Sequence, residues 1–410
     1  MGQEAIPSER YAVEQLVHLI KEISGTQLPI VTDDTPLPNR AIFVGQHRWL
    51  KSLGVQIDTL SLGDEGYLIQ TTDDHRIILG AKTLGTLYGV YSFLEQHLGC
   101  CYFAPDETVV PKRRTITIRP IREVHRPAFD YREGWLYIGG AMGTWWSQHY
   151  DPEWLSRNRM NGGRTPHLDV RYGGSITESP RHSLASDIVP IQKYSKTHPE
   201  YYSLVNGDRT VTSDCQVYMS NPDVIRVATE HTRERMRNYP DAELIWVTQG
   251  DNSHFCVCNS CQALYARYEA WDMAIDQPMP SDAPQAWKDG YGGLAGALLY
   301  FVNSIAENLE AEFPNLKIAT FAYQPTGRPP RGIVPHRNIV VWYCAIERCQ
   351  CHPLDGGPTS GLFYHHAAEL AAWTRLAQTV YVYDYMQNSI SPDLLHRAED
   401  IRLYRNLGVK

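Results

Sequence analysis

Leu244-Ile245-Trp246-Val247-Thr248-Gln249-Gly250-Asp251-Asn252 begins as an apolar run and ends in polar residues with a carboxylate. Ile339-Val340-Val341-Trp342-Tyr343-Cys344-Ala345-Ile346-Glu347-Arg348 has the same form, and so has Thr379-Val380-Tyr381-Val382-Tyr383-Asp384-Tyr385. Short apolar runs of this length read as strands buried on both faces. Helical patterns separate them, and strands alternating with helices imply a parallel sheet. In a (β/α)8 barrel the chemistry sits at the C-terminal ends of the strands. Three strands ending in Asp251, Glu347 and Asp384 therefore predict one rim carrying carboxylates for acid–base work.

Further strand-like runs end near Trp135, Asn161, Met219 and Tyr323, which makes seven in all. Helical periodicity is strongest over 223–237, 294–313, 366–377 and 392–407. The stretch 270–293 is rich in Pro, Asp and Gly and reads as a long loop on the active rim. A closed barrel needs an eighth strand. The turn-like Asn406-Leu407-Gly408-Val409-Lys410 then reads as the approach to it, so the barrel is expected to be incomplete within these 410 residues.

Before residue 120 the rhythm differs. A helix over 8–24, a short strand at 41–45, a hairpin of 66–70 with 76–80, a helix over 83–98 and a strand at 115–118 predict an α+β domain. The division expected is 1–120 for this domain and 121–410 for the barrel, with Pro120 and Pro127 flanking the linker.

Composition agrees with two folded domains: 410 residues, 43% hydrophobic and 20% charged. A net charge of −8 gives no reason to expect a nucleic-acid partner. No apolar run is long enough to predict a transmembrane segment, and Met1 to Pro7 carries no basic start or apolar signal core. The 10 Trp and 25 Tyr are compatible with sugar stacking and equally with an aromatic core.

Gly80-Ala81-Lys82-Thr83-Leu84-Gly85-Thr86-Leu87-Tyr88-Gly89-Val90-Tyr91-Ser92-Phe93-Leu94 resembles the helix of the N-terminal domain shared by alpha-glucuronidases and beta-N-acetylhexosaminidases. His198-Pro199-Glu200-Tyr201-Tyr202, Ser220-Asn221-Pro222, Gly250-Asp251-Asn252 and Cys256-Val257-Cys258-Asn259-Ser260-Cys261 resemble the markers of an uncharacterised bacterial glycoside-hydrolase-like family carrying that domain. The resemblance implies a TIM-type barrel, a glycan substrate and a secreted or periplasmic setting. It implies no cofactor for catalysis. Hexosaminidases carry Asp-Glu after strand four, with Glu as the acid. This chain has Asp251-Asn252, so the acetamido-assisted mechanism lacks its acid. Alpha-glucuronidases place a carboxylic acid after strand four and further carboxylates later, a pattern that Asp251, Glu347 and Asp384 match by strand position.

Asp251 as general acid requires burial against Trp246 or Phe255, or a second carboxylate nearby. Its other reading is a helix cap. Glu347 is a base or nucleophile, or a partner of Arg348. Asp384, among tyrosines, is a base or binds a sugar hydroxyl. Glu133 and Trp135 would bind and stack on substrate, or pack at the domain junction. His182, Asn252, Tyr323 and Arg348 complete the binding set, and Trp145-Trp146 forms a stacking wall or core. Arg132, Arg164 and Arg348 have the fork that suits a uronate carboxylate.

Cysteines fall in two clusters, Cys256, Cys258, Cys261 and Cys344, Cys349, Cys351, the second followed by His352. Both loops leave the same face of the expected barrel and should converge. Spacing of C-x-C-x-x-C suits a structural zinc completed by Cys349, Cys351 or His352, and disulfides in an exported protein suit it equally. Three functions stand against one another: an acid–base glycosidase, a glycan-binding protein on a degenerate barrel, and a metal-dependent hydrolase or lyase. The last is disfavoured, because all-thiolate sites are closed.

Overall fold

The computed structural model describes residues 1–55, 61–81, 83–133, 151–162, 169–173, 181–209, 211–212, 215–239, 242, 244–268, 293–346, 348–349, 351–356, 366–385 and 396–410. The chain forms two compact units, Met1–Ile176 and Thr177–Lys410.

The first unit is a mixed sheet with helices on one face. Its elements are α1 (Pro7–Ser24), β1 (Ile42–Val44), β2 (Tyr67–Thr72), β3 (His75–Gly80), α2 (Gly85–Gln96), a hairpin of β4 (Cys101–Ala104) and β5 (Glu107–Val109), β6 (Arg122–His125) and α3 (Pro152–Arg157). The sheet order is β1-β3-β2-β6, with β1 parallel to β3 and the other pairs antiparallel. Strand alternation explains the two cores. Tyr67, Ile69 and Ile78 face α1 and α2, where they meet Leu16, Leu19, Leu87 and Tyr91. Leu68, Ile77 and Leu79 face the other way, into a cluster with Phe43 and Trp49. Each such side chain contributes on the order of 2 kcal/mol by leaving water. The glycines of the α2 segment permit close packing. A Cβ on Gly89 would lie 2.8 Å from Ile78 Cγ2, and one on Gly85 2.3 Å from the Gly66 carbonyl oxygen.

Two sequence expectations change here. The fourth strand of this sheet is Arg122–His125, in the segment expected to be linker, and 115–118 forms no strand. Asn161 does not end a strand either. It follows α3, and its carboxamide oxygen accepts from Arg132 N at 2.7 Å, tying two loops.

The second unit contains α4 (Ile191–Tyr194), α5 (Pro222–Asn238), β7 (Leu244–Trp246), α6 (Asn259–Arg267), α7 (Gly293–Leu309), β8 (Lys317–Tyr323), β9 (Ile339–Cys344), α8 (His366–Leu376), β10 (Thr379–Tyr383) and α9 (Arg397–Leu407). The four strands are all parallel and lie in chain order, β10-β9-β8-β7. All six residues of β9 are buried, as in a parallel sheet covered on both faces. Helices α5 and α6 both pack on α7. Of the expected strand ends, Tyr323 closes β8, and Gly250 and Asp384 follow β7 and β10. The run ending at Met219 does not form one, and its pairing is the isolated bridge of Val217 with Tyr202. Lys410 N donates to Val380 O, so the chain returns alongside β10.

Candidate active site

The site is built on the C-terminal ends of β7 and β8. Beyond Trp246 the β7 segment stays extended and is held from one side by β8, through Val247 N to Ala319 O at 2.9 Å. On the other side, among the described residues, Ser183 supplies the hydrogen bonds in place of a strand. Its hydroxyl donates to Trp246 O at 2.8 Å and accepts from Thr248 N at 3.0 Å, while its own N–H donates to Thr248 O. One buried serine thereby satisfies backbone groups that would otherwise be costly to bury. This fixes His182, the preceding residue, beside Gln249.

His182 Nδ1 lies 2.6 Å from Gln249 O. A carbonyl oxygen only accepts, so Nδ1 carries a proton and Nε2 points away from the backbone. Nε2 faces Asp251 Oδ1 at 3.9 Å. The same oxygen accepts from Tyr323 OH at 2.9 Å. The imidazole packs edge-on against Phe321, with ring centroids 5.5 Å apart. His182, Asp251 and Tyr323, from three separate segments, thus meet at one place, a grouping the sequence did not single out. Asp251 is 54% exposed. Neither Trp246 nor Phe255 buries it. Trp246 is turned inward against Trp342, with centroids 4.7 Å apart.

The loop carrying Asp251 is clamped by a residue that sequence reasoning missed. Buried Gln216 accepts from Gly250 N at 3.0 Å and donates to Gly250 O and Asn252 O, both at 2.9 Å. Its only sequence signal is a glutamine inside the apolar run Cys215-Gln216-Val217-Tyr218-Met219. Asn252 works within this turn, since its Oδ1 accepts from His254 N at 3.0 Å. Across the rim, Gln249 donates to Thr326 Oγ1 at 2.7 Å. Gln324, directly after Tyr323, has φ of 49°, a strained conformation of a kind that clusters at functional sites.

Asp384 occupies a different setting. It is half-buried and held by Arg397 Nη1, by Tyr404 OH at 2.8 Å and by Arg348 Nη1 at 3.5 Å. Arg348 in turn reaches fully buried Asp400 at 2.6 Å. Burial pushes the Asp384 carboxyl up, against the pull of Arg397 and Arg348. Asp384 follows β10 and Asp251 follows β7, three strand spacings apart, or about 14 Å measured along a sheet. Asp384 and Arg348 are engaged by each other and by residues of α9. Of the arginines read as uronate forks, Arg132 is tied to Glu65, to Arg159 O at 2.8 Å and to Phe129 O at 2.6 Å. Glu133, in the first unit, accepts from Tyr131 OH at 2.6 Å. Glu347, Trp135, Trp145, Trp146 and Arg164 lie outside the described residues. A cavity of about 440 Å³ lined by Pro330, Arg331, Gly332, Ile333, Val334 and Leu376 contains none of the candidate residues.

The thiols of Cys256, Cys258 and Cys261 lie within 4.8 Å of one another. Among the described residues, Cys349 and Cys351 do not join them, and the two clusters do not converge into one set of ligands. Cys349 Sγ instead lies 3.2 Å from His352 Nδ1. None of these five cysteines is in a disulfide.

The fold has counterparts among solved structures. Over 98% of this chain and 52% of the other, it superposes on a family GH115 4-O-methyl-alpha-glucuronidase with specificity for decorated arabinogalactans, with a TM-score of 0.54 and 14% identity. It also matches a chitobiase from Flavobacterium johnsoniae (12% identity, 94% and 55% covered, TM-score 0.45) and a beta-N-acetylhexosaminidase from Bacteroides fragilis NCTC 9343 (11%, 99% and 85%, 0.43). The chain thus spans about half the length of the glucuronidase. No protein of curated function matches it in sequence. Residues 3–93 match the glycosyl hydrolase family 67 N-terminus, as the α2 segment implied. Residues 102–410 match the domain of unknown function DUF4838, and the chain belongs to that glycoside-hydrolase-like family.

Proposed function

We propose that the chain is a glycoside hydrolase whose second unit is part of a (β/α)8 barrel, with Asp251 as its acid–base carboxylate. One observation carries the reading. An exposed carboxylate stands past the C-terminal end of a parallel strand, oriented by Tyr323 OH at 2.9 Å, with the Nε2 face of His182 turned toward it. Protonated, Asp251 would deliver a proton to the leaving oxygen of a glycan. Tyr323 and His182 would hold the carboxyl in register as its charge changes. The partner carboxylate in this reading is Glu347, three residues beyond β9 in the sequence. Asp384 serves in this reading as a structural anion for Arg348 and Arg397. Uronate recognition has lost its two described arginines, so uronic and neutral glycans are both test substrates.

The test uses the whole chain on a panel of aryl glycosides and of plant and host glycans, including glucuronate-bearing ones. Asp251→Asn should abolish most turnover and leave sugar binding intact, with the smallest loss for activated leaving groups. Unchanged turnover in that variant would remove Asp251 as the acid. A second reading, a glycan-binding protein without turnover, draws on the exposure of Asp251. Binding without hydrolysis across the panel would establish it.

A further inference from the structure

We infer that Cys256, Cys258 and Cys261 form a zinc site that pins the loop bearing Asp251. The inference does not depend on the proposed hydrolysis. Three thiols meet here from one short segment. Cys256 and Cys261 are buried and Cys258 half-buried. Packing alone gives no reason to bring three thiols within 4.8 Å of one another.

The local fold arranges them. Cys258 is the N-cap of α6 and Cys261 its third residue, so both sulfurs stand over the positive end of a nine-residue helix. The second observation is the hydrogen bonding of the sulfurs. Leu204 N lies 3.3 Å from Cys256 Sγ, and Ser220 Oγ lies 3.2 Å from Cys261 Sγ. The Leu204 N–H donates to the Cys256 sulfur, which supports a thiolate, the form in which cysteine binds metal, and the Ser220 hydroxyl is in hydrogen-bonding contact with Cys261. The size also fits. Zinc–sulfur bonds of about 2.3 Å in a tetrahedron set sulfurs about 3.8 Å apart, so the thiols need close by no more than about 1 Å. Among the described residues no other His, Cys, Asp or Glu joins the set.

Soft thiolates select zinc over calcium or magnesium. Binding would release the thiol protons to solvent and exchange three mobile groups for one rigid knot. Its consequence lies five residues upstream. The segment between Asp251 and Cys256 would be anchored at one end by Gln216 and at the other by the metal.

The test measures metal in the full chain purified with a reductant and without chelator. About one zinc per chain is expected, as is a lower melting temperature on chelation. Chelation should also raise the number of fast-reacting thiols by up to about three, the number of ligands in the site. Cys261→Ser should lose the metal, and Cys351→Ser, outside the cluster, should keep it. If Cys261→Ser fails to fold, cobalt added to the metal-stripped wild type should give a thiolate-to-cobalt charge-transfer band. Any of three results would overturn the inference: no metal after zinc is supplied, a disulfide mapped within the peptide holding these cysteines, or full zinc retention by Cys261→Ser.

Discussion

Gln216→Met isolates the clamp on the Asp251 loop, because methionine keeps the length and volume of glutamine and removes its polar atoms. Gln216 is fully buried and makes three bonds to the backbone of Gly250 and Asn252, each between 2.9 and 3.0 Å. A net contribution of about 1 kcal/mol each gives about 3 kcal/mol. The Gly250 N–H would be left buried and unsatisfied, which adds to the loss. The Asn252 carbonyl sits at the rim, where water can replace the side chain, which subtracts from it. For a unit of this size that corresponds to a fall of roughly 6–12 °C in the melting temperature of its transition. Gln249→Met, which loses chiefly one bond to Thr326 at 2.7 Å, should cost about a third as much, roughly 1 kcal/mol. Hydrogen exchange read peptide by peptide locates the effect. Amides from Gln249 to His254 should exchange faster in Gln216→Met while those of the first unit stay unchanged. A loss below about 0.5 kcal/mol with unaltered exchange would mean that the loop is held by something other than Gln216.

Arg348→Met should destabilise by about 3–5 kcal/mol, because it strands the buried Asp400 carboxylate and weakens the hold on Asp384. Urea unfolding would measure it, and a neutral result would return both residues to the list of substrate contacts. His47 is packed against Phe43 and Trp49, and burial lowers its imidazole from 6.5 to about 4. A depressed folded value means that stability is fully present above about pH 6.5 and lost as pH falls toward 4. The loss amounts to up to about 3 kcal/mol. His47→Leu should flatten that part of the melting-temperature profile, and an unchanged slope between pH 6.5 and 4 would refute the assignment.

The N-terminal unit was legible because its signals are local. Period-3.6 runs around Leu16 and Leu87, the Asp73-Asp74 turn and the close-packing glycines are all readable within a few residues. The strands at β7, β8, β9 and β10 were legible for the same reason, each being a continuous apolar run, buried almost throughout in the first three and only at Val380 in β10. Asp251, His182 and Tyr323 could be named from their positions after strands or in the loop before one. Their meeting was a matter of topology. Strands β7 and β8 are adjacent, and Ser183 holds the outer side of the β7 segment by hydrogen bonds that no periodicity encodes. The same limit explains Asp384 and Arg348. An acid after a strand looks alike in sequence whether it faces a cleft or a buried arginine, and only the side chains that α9 brings to Asp384 separate the two. Gln216 had almost no signal, since a buried clamp is one polar residue in an apolar run and its partners lie 34 and 36 positions away. The cysteine spacing by itself determined that three sulfurs share one turn and a helix start. Tertiary structure decided that the second cysteine cluster stays apart, because strand order sets which loops meet.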